Sequence, residues 1–101
     1  MAAILKFEHW RARDWLDWVK ALPSCQSGRP ADDPHHIKGF GFGGTSKCSD
    51  YFTIPLTRAE HSELHQIGWQ TWEAKYGSQA IHALRTLDRA FAEGVIGRVK
   101  K

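Results

Sequence analysis

The stretch that decides the fold opens with Asp33-Pro34-His35-His36-Ile37-Lys38 and continues with Gly39-Phe40-Gly41-Phe42-Gly43-Gly44-Thr45-Ser46-Lys47-Cys48-Ser49-Asp50. Tyr51-Phe52-Thr53-Ile54-Pro55-Leu56 comes next, and Thr57-Arg58-Ala59-Glu60-His61-Ser62-Glu63-Leu64-His65-Gln66-Ile67-Gly68 closes it. Each part has its own backbone preference. Pro34 disfavours helix at Asp33 and pushes it towards extended geometry, so His35-His36-Ile37-Lys38 reads as a short strand. The glycines at 39–44 permit tight or left-handed turns. Tyr51-Phe52-Thr53-Ile54 is aromatic and β-branched and reads as a second strand, which makes a long-looped hairpin over 35–54. Thr57 and Glu60 have the spacing of a capping box, in which each side chain satisfies an orphan amide of the other. A helix therefore starts at Thr57, carries His61, Leu64 and His65, and stops at Gly68.

Four histidines punctuate this strand–strand–helix order. His61 and His65 are one turn apart on one helix face. Neighbouring residues of a strand point to opposite sides, so His36 is ill placed to share an ion directly with His35. The spacing predicts that His35, His61 and His65 converge on one metal ion. Three protein ligands leave positions open for water or substrate, which is the pattern of a catalytic rather than a structural site. An ion held so can stabilise charge on a phosphoryl oxygen and on a departing alkoxide. His36, turned the other way and titrating near neutrality, is suited to deprotonate a water as general base. Three imidazoles favour zinc, nickel or manganese over magnesium in binding strength, but all four divalent metals stay open as the ion of turnover. An isolated HxxxH pair arises often by chance; the ordered combination is far more specific. Cys48, His61 and His65 have the spacing of the second half of a zinc finger. The required earlier cysteine is missing, since Gly44, Thr45 and Ser46 fill its places, so that reading is rejected.

The rest of the chain frames this unit. At 101 residues it is one domain by size, with ordinary globular proportions of 42% hydrophobic and 25% charged residues. Five tryptophans compensate for a small core. The formal charge of +3 and pI of about 9.1 fit a polyanionic partner without requiring one. No apolar run reaches about 18 residues, so no membrane span is expected. Residues 1–10 do not read as a signal peptide. Cys25 and Cys48 form no CxxC pair; a disulfide between them is possible, but two reduced thiols in a cytosolic protein is the preferred reading.

Upstream, residues 11–21 predict a helix with Trp15, Trp18, Val19 and Leu22 at helical spacing, ended by Pro23. Residues 1–8 read as a short strand or a loose arm. Residues 24–34 form a turn-rich connector. Downstream, Trp69, Trp72 and Tyr76 precede a helix over 78–93 whose expected apolar stripe is Ile81, Leu84, Leu87, Ala90 and Phe91. Gly94 closes it, and the basic tail 97–101 reads as mobile. Lys38, Lys47, Arg58 and Lys75 are candidates to meet phosphates. Asp32 and Asp33 are candidates to support an imidazole or to cap a loop. Trp18, Trp69 and Trp72 fit core packing better than base stacking. His9 and His82 lie away from the motif.

The segment Leu22-Pro23-Ser24-Cys25-Gln26-Ser27-Gly28-Arg29-Pro30, then Asp33-Pro34-His35-His36, the glycine-rich loop with Lys47 and Asp50, and Ile54-Pro55-Leu56-Thr57-Arg58 through His65 resembles the phage and prophage HNH endonucleases of the Ref type, the recombination-enhancement, RecA-dependent nucleases. The likeness covers about residues 15–76. It implies an α+β, His-Me finger (ββα-metal, HNH) core at about 33–67, flanked by N- and C-terminal helices in one domain over 1–101. It also implies metal-dependent DNA cleavage. Transferred residue by residue, His36 matches the general base, His35, His61 and His65 match the metal ligands, and Asp50 falls near the central Asn that braces the base-bearing loop. Lys38, Lys47 and Arg58 would meet DNA. Relatives often carry a structural zinc; its ligand positions here look like Ser24, Ser27, Thr57 and Glu60, so the resemblance implies no structural zinc in this chain.

The resulting expectation is an HNH DNA endonuclease, phage- or prophage-encoded and linked to recombination, acting in the bacterial cytoplasm with a RecA filament as the suggested partner. The alternatives are a nucleic-acid-binding module that does not cut, and a partner-activated component of a phage or defence complex. Retention of His36 argues against the silent module, which has no need of a base.

Overall fold

The computed structural model describes residues 11–40 and 47–96. The expectations for residues 1–8 and for the tail at 97–101 lie outside the described residues, as does the middle of the glycine-rich loop. Six elements follow one another: α1 (Arg13–Lys20), β1 (Asp33–His36), β2 (Thr53–Leu56), α2 (Arg58–Ile67), α3 (Trp69–Tyr76) and α4 (Gln79–Ala92). The fold is thus α+β, with two antiparallel strands and four helices among the described residues. No described helix is long and apolar enough to cross a membrane.

The hairpin sets the geometry. Its register pairs Asp33 with Leu56, Pro34 with Pro55, His35 with Ile54 and His36 with Thr53. Both strands are displaced by two residues from the expected spans of 35–38 and 51–54, one earlier and one later. Two local causes account for this. The prolines have no N–H to give, and the register sets them opposite one another, so a single rung absorbs both missing donors. Residues 49–52 are taken by a turn instead: Phe52 N donates to Ser49 O at 3.0 Å, Tyr51 N to Ser49 Oγ at 3.2 Å, and Thr53 Oγ1 to Asp50 O at 2.9 Å. One further ladder bond, Ile37 N to Phe52 O, continues past β1.

β2 is buried at every position, because elements pack on it from several directions. Ile54, Leu56, Leu64, Trp72, Ile37, Cys48 and Ala83 form the main core cluster. Trp15, Val19 and Ala90 form a second. The buried tryptophans place their polar ends: Trp15 Nε1 donates to Thr53 Oγ1 at 3.1 Å and Trp72 Nε1 to Gln26 Oε1 at 3.0 Å. Trp72 is thus a core residue. Cys25 and Cys48 are free thiols. Burial, with the nearby Glu60 charge, pushes the Cys25 thiol up to about 12 and keeps it protonated.

The expected apolar stripe of the last helix holds in part: Ala90 is buried and Leu87 packs against the second cluster. Ile81, Leu84 and Phe91 are exposed, and α4 buries Gln79, His82, Ala83 and Thr86 in their place. The buried face is set by the small Ala83, which joins the cluster around β2, by Ala90, which packs with Trp15 and Val19, and by two polar groups that find partners. Thr86 Oγ1 donates to His82 O, and the His82 ring meets Tyr76 O at 2.8 Å.

The capping box of α2 has both of its bonds, Glu60 N to Thr57 Oγ1 at 3.2 Å and Thr57 N to Glu60 Oε1 at 2.9 Å. It also reaches outside the helix. Ser24 Oγ donates to Glu60 Oε1 at 2.5 Å and accepts from the amides of Gln26 and Ser27 at 3.0 and 3.2 Å. Ser24, Ser27, Thr57 and Glu60 therefore form one hydrogen-bonded knot that ties the connector to the start of α2.

Burial alone would raise the Glu60 carboxyl, but hydrogen bonds from Ser24, Ser27 and Thr57 outweigh it and hold the group below its ordinary range. A folded-state pKa below the unfolded one gives stability that is complete above the ordinary carboxylate range and is lost as pH falls through the depressed value. Glu60→Gln should cost about 1–3 kcal/mol at neutral pH. It should also flatten, without abolishing, the fall in urea-unfolding free energy below about pH 5; an unchanged pH dependence would show that Glu60 does not carry this linkage.

Candidate metal centre

Alternation along β1 puts Asp33 and His35 on one side of the strand and His36 on the other. His35 is buried at 1% exposure and faces the α2 histidines. Its ring centroid lies 4.9 Å from that of His61 and 5.5 Å from that of His65, and the two α2 rings are 4.8 Å apart. One nitrogen from each of the three rings lies within 4.8 Å of the others. His61 Nε2 and His65 Nε2 are 3.1 Å apart. Two bonds of about 2.0–2.1 Å at a tetrahedral angle would separate such nitrogens by about 3.3 Å, so the pair is already near ligand spacing.

Neighbouring groups decide which nitrogen each ring offers. Asp33 Oδ2 lies 3.1 Å from His61 Nδ1, and Arg58 Nη2 donates to Asp33 Oδ1 at 3.1 Å. Burial raises the Asp33 carboxyl, but the Arg58 and His61 hydrogen bonds prevail and keep it below its usual value. An ionised Asp33 can only accept, so Nδ1 of His61 carries the proton and Nε2 is the nitrogen free to bind an ion. This is the carboxylate–histidine arrangement that orients metal ligands.

His35 is set by Gln79, which is fully buried. Gln79 Nε2 donates to Lys38 O at 3.1 Å and to Glu73 Oε2 at 3.2 Å, which fixes the amide's orientation. Gln79 Oε1 then accepts from Lys38 N at 3.1 Å and from His35 Nε2 at 3.0 Å. Nδ1 of His35 is left free to bind an ion. Burial pushes the His35 imidazole down to about 3, against the Gln79 bond and with help from the neighbouring His61 and His65. Burial and His61 also lower His65. His35 and His65 are therefore neutral at pH 7, the state that a metal requires.

His36 is arranged differently. Its Nε2 lies 2.7 Å from Asp50 Oδ1. Asp50 is buried, and burial raises it, but His36, the Ala12 amide (2.6 Å from Oδ2) and Arg11 together hold it ionised. Asp50 thus fixes the proton on Nε2 and leaves Nδ1 as the basic nitrogen. Burial keeps His36 below its ordinary value despite Asp50's opposing pull, so it is neutral and basic at pH 7.

A cleft of about 370 Å³ joins the two arrangements; Leu16, Pro34, His35, His36, Lys38, Lys47, His61 and His65 line it. The four histidines of the motif and two of the three cations assigned to DNA, Lys38 and Lys47, therefore share one cavity. The third, Arg58, is paired with Asp33 and lies outside the lining. The further phosphate candidate Lys75 pairs with Glu63. Asp50 stands behind His36, in direct contact with the ring. Of the two aspartates offered for either role, Asp33 supports an imidazole, while Asp32 caps α2 by accepting from Arg58 N at 2.9 Å. Gln79 had no sequence signal: it is the residue after a helix cap, and only tertiary packing buries its amide.

Isothermal titration with nickel or zinc should show one site per chain. His35→Ala and His61→Ala should each abolish tight binding. Gln79→Leu should weaken it by about 10–100-fold while every ligand remains; unchanged affinity in Gln79→Leu would refute its role in holding His35.

No solved structure matches this chain. It is 45% identical over 92 residues to "Uncharacterized protein YdfU" of Escherichia coli (strain K12). That match takes in 90% of this chain and 26% of the relative, so the chain spans about a quarter of the relative's length. A family model described as "Protein of unknown function (DUF968)" matches residues 2–94, and the chain belongs to that family.

Proposed function

We propose that this chain is a metal-dependent HNH-type DNA endonuclease with a His-Me finger (ββα-metal) core. One observation carries the reading. The order β1–β2–α2 gathers His35, His61 and His65 with their ligand nitrogens within 4.8 Å, and leaves His36 on a carboxylate in the same cleft. Three ligands and a separate base form the donor set of a hydrolytic site rather than of a structural one.

A divalent ion bound there would supply Lewis-acid stabilisation of charge on the scissile phosphate and on the leaving oxygen. The chain's own groups do the rest. Nδ1 of His36 takes a proton from the attacking water. Asp50 stabilises the imidazolium that results and keeps the ring oriented through Nε2, a closer role than bracing a loop. Lys38 and Lys47 give the cleft a positive potential that draws in the phosphodiester backbone. Gln79 and Asp33 hold ligands in place before any substrate arrives.

The likeness to phage and prophage Ref-type nucleases supports a link to recombination, a bacterial cytoplasmic setting and a RecA filament as the partner to test. The second reading is a silent or partner-activated nucleic-acid module. It is favoured by the relative's threefold excess of sequence beyond the match, which leaves room for regulation elsewhere.

The test compares the wild type with His36→Ala on single-stranded and duplex DNA, with manganese, magnesium, zinc, nickel or EDTA, and with or without a RecA filament. Cleavage should require metal and should fall by about 10²–10⁴-fold in His36→Ala. Binding without cleavage under every condition would favour the silent module.

A further inference from the structure

We infer that Phe40 and Trp69 form a stacking platform for an unpaired nucleobase at the Lys38 end of the cleft, so that single-stranded nucleic acid is the preferred ligand. This rests on the nucleic-acid reading of the cleft given above. Phe40 is the sole non-glycine residue with positive φ among the described residues, at 56°. A bulky side chain in that region is a strained outlier, and such strain tends to mark functional positions. Gly39 and Gly41 flank it, so the chain uses glycine freely here, yet it carries a phenylalanine at the strained position. Core packing does not explain the choice: the Phe40 side chain is 54% exposed and belongs to neither core cluster.

The surroundings hold the ring in place. The Phe40 and Trp69 centroids are 6.0 Å apart with an interplanar angle of 37°. Trp69 packs against the main core cluster and is itself only partly buried. Gly39, at φ 85°, lies flat on the Trp69 ring; a Cβ there would come within 2.7 Å of it. The backbone of Lys38 is clamped on both its N–H and its carbonyl by Gln79. Two chain segments thus leave the cleft, one after Lys38 and one after His65 through Gly68, and they meet at this aromatic pair.

The chemistry fits a base. Every nucleobase offers a π-face, and an aromatic side chain beside a cation is how sequence-tolerant single-strand sites are built. In a duplex those faces are covered by stacking, so only an unpaired or extruded base can use the platform. Lys38 would meet the phosphate next to it.

Fluorescence anisotropy in EDTA, where no strand is cut, tests this with an oligothymidylate, an abasic strand of equal length, and a duplex. The wild type should prefer the thymidine strand to the abasic one by about 5- to 150-fold. Phe40→Leu, which keeps apolar bulk but loses the π-face, should erase most of that preference with abasic affinity unchanged; Phe40→Tyr should retain it. Equal binding of both strands by the wild type, a preference surviving in Phe40→Leu, or duplex bound at least as tightly as single strand would overturn the platform. So would loss of abasic affinity in Phe40→Leu, which would mark the residue as structural or as a generic apolar contact. Metal-dependent cleavage of duplex alongside any of these outcomes would leave the nuclease reading standing, whereas absence of both binding and cleavage would remove the two together.

Discussion

The register of a two-stranded ladder is the constraint on which the site depends. Side chains alternate along a strand, so slipping β1 by one residue against β2 would exchange His35 and His36 and move Asp33 away from His61. Pro34 opposite Pro55 helps to pin that register, because a slip would set each proline against a residue that needs a ladder partner. Strand β2 is buried along its whole length, which resists the slip again. The division of labour among the histidines is therefore a property of the hairpin before it is a property of the imidazoles.

Hydrogen-bond partners then fix the proton on three of the four rings, His35, His61 and His36. A neutral amide sits behind the most buried of the candidate ligands, His35, and an ionised carboxylate behind His61 and behind His36. The differences are physically sensible. A proposed ligand such as His35 would have to stay neutral, and a carboxylate at its back would favour the charged form, whereas Gln79 fixes the tautomer without adding charge. In the proposed role of general base His36 would accept a proton and later give it up, and Asp50 would lower the cost of the charged state. The positions that the family resemblance assigns to a second set of ligands, Ser24, Ser27, Thr57 and Glu60, instead form a hydrogen-bonded knot at the start of α2. It holds fast the helix on which His61 and His65 ride.

Much of this was legible in the chain because it is local. Thr57 and Glu60 announced the α2 start, and the spacing of His61 and His65 gave their shared face. Pro34 gave an extended segment for His35 and His36. What depended on tertiary contact was not legible. The strand ends shifted because residues 49–52 close a turn on the Ser49 side chain and carbonyl, a competition that β propensity at Tyr51 and Phe52 does not reveal. On α4 hydrophobicity singles out Ile81, Leu84 and Phe91 as well as Ala90, whereas packing buries Ala90 with Ala83 and leaves the three larger side chains exposed. Gln79 was invisible for the same reason, since a glutamine near a helix start is ordinarily a surface residue.

The central claim is that three histidines hold an ion while the fourth stays free as a base. X-ray absorption spectroscopy of the full chain loaded with one equivalent of zinc tests it most directly. The account predicts three imidazole nitrogens at about 2.0–2.1 Å, completed by oxygen, with no sulfur in the shell. Four imidazoles would draw His36 into the ligand set and remove the base, and sulfur scattering would place the metal at a cysteine; either result would contradict the account.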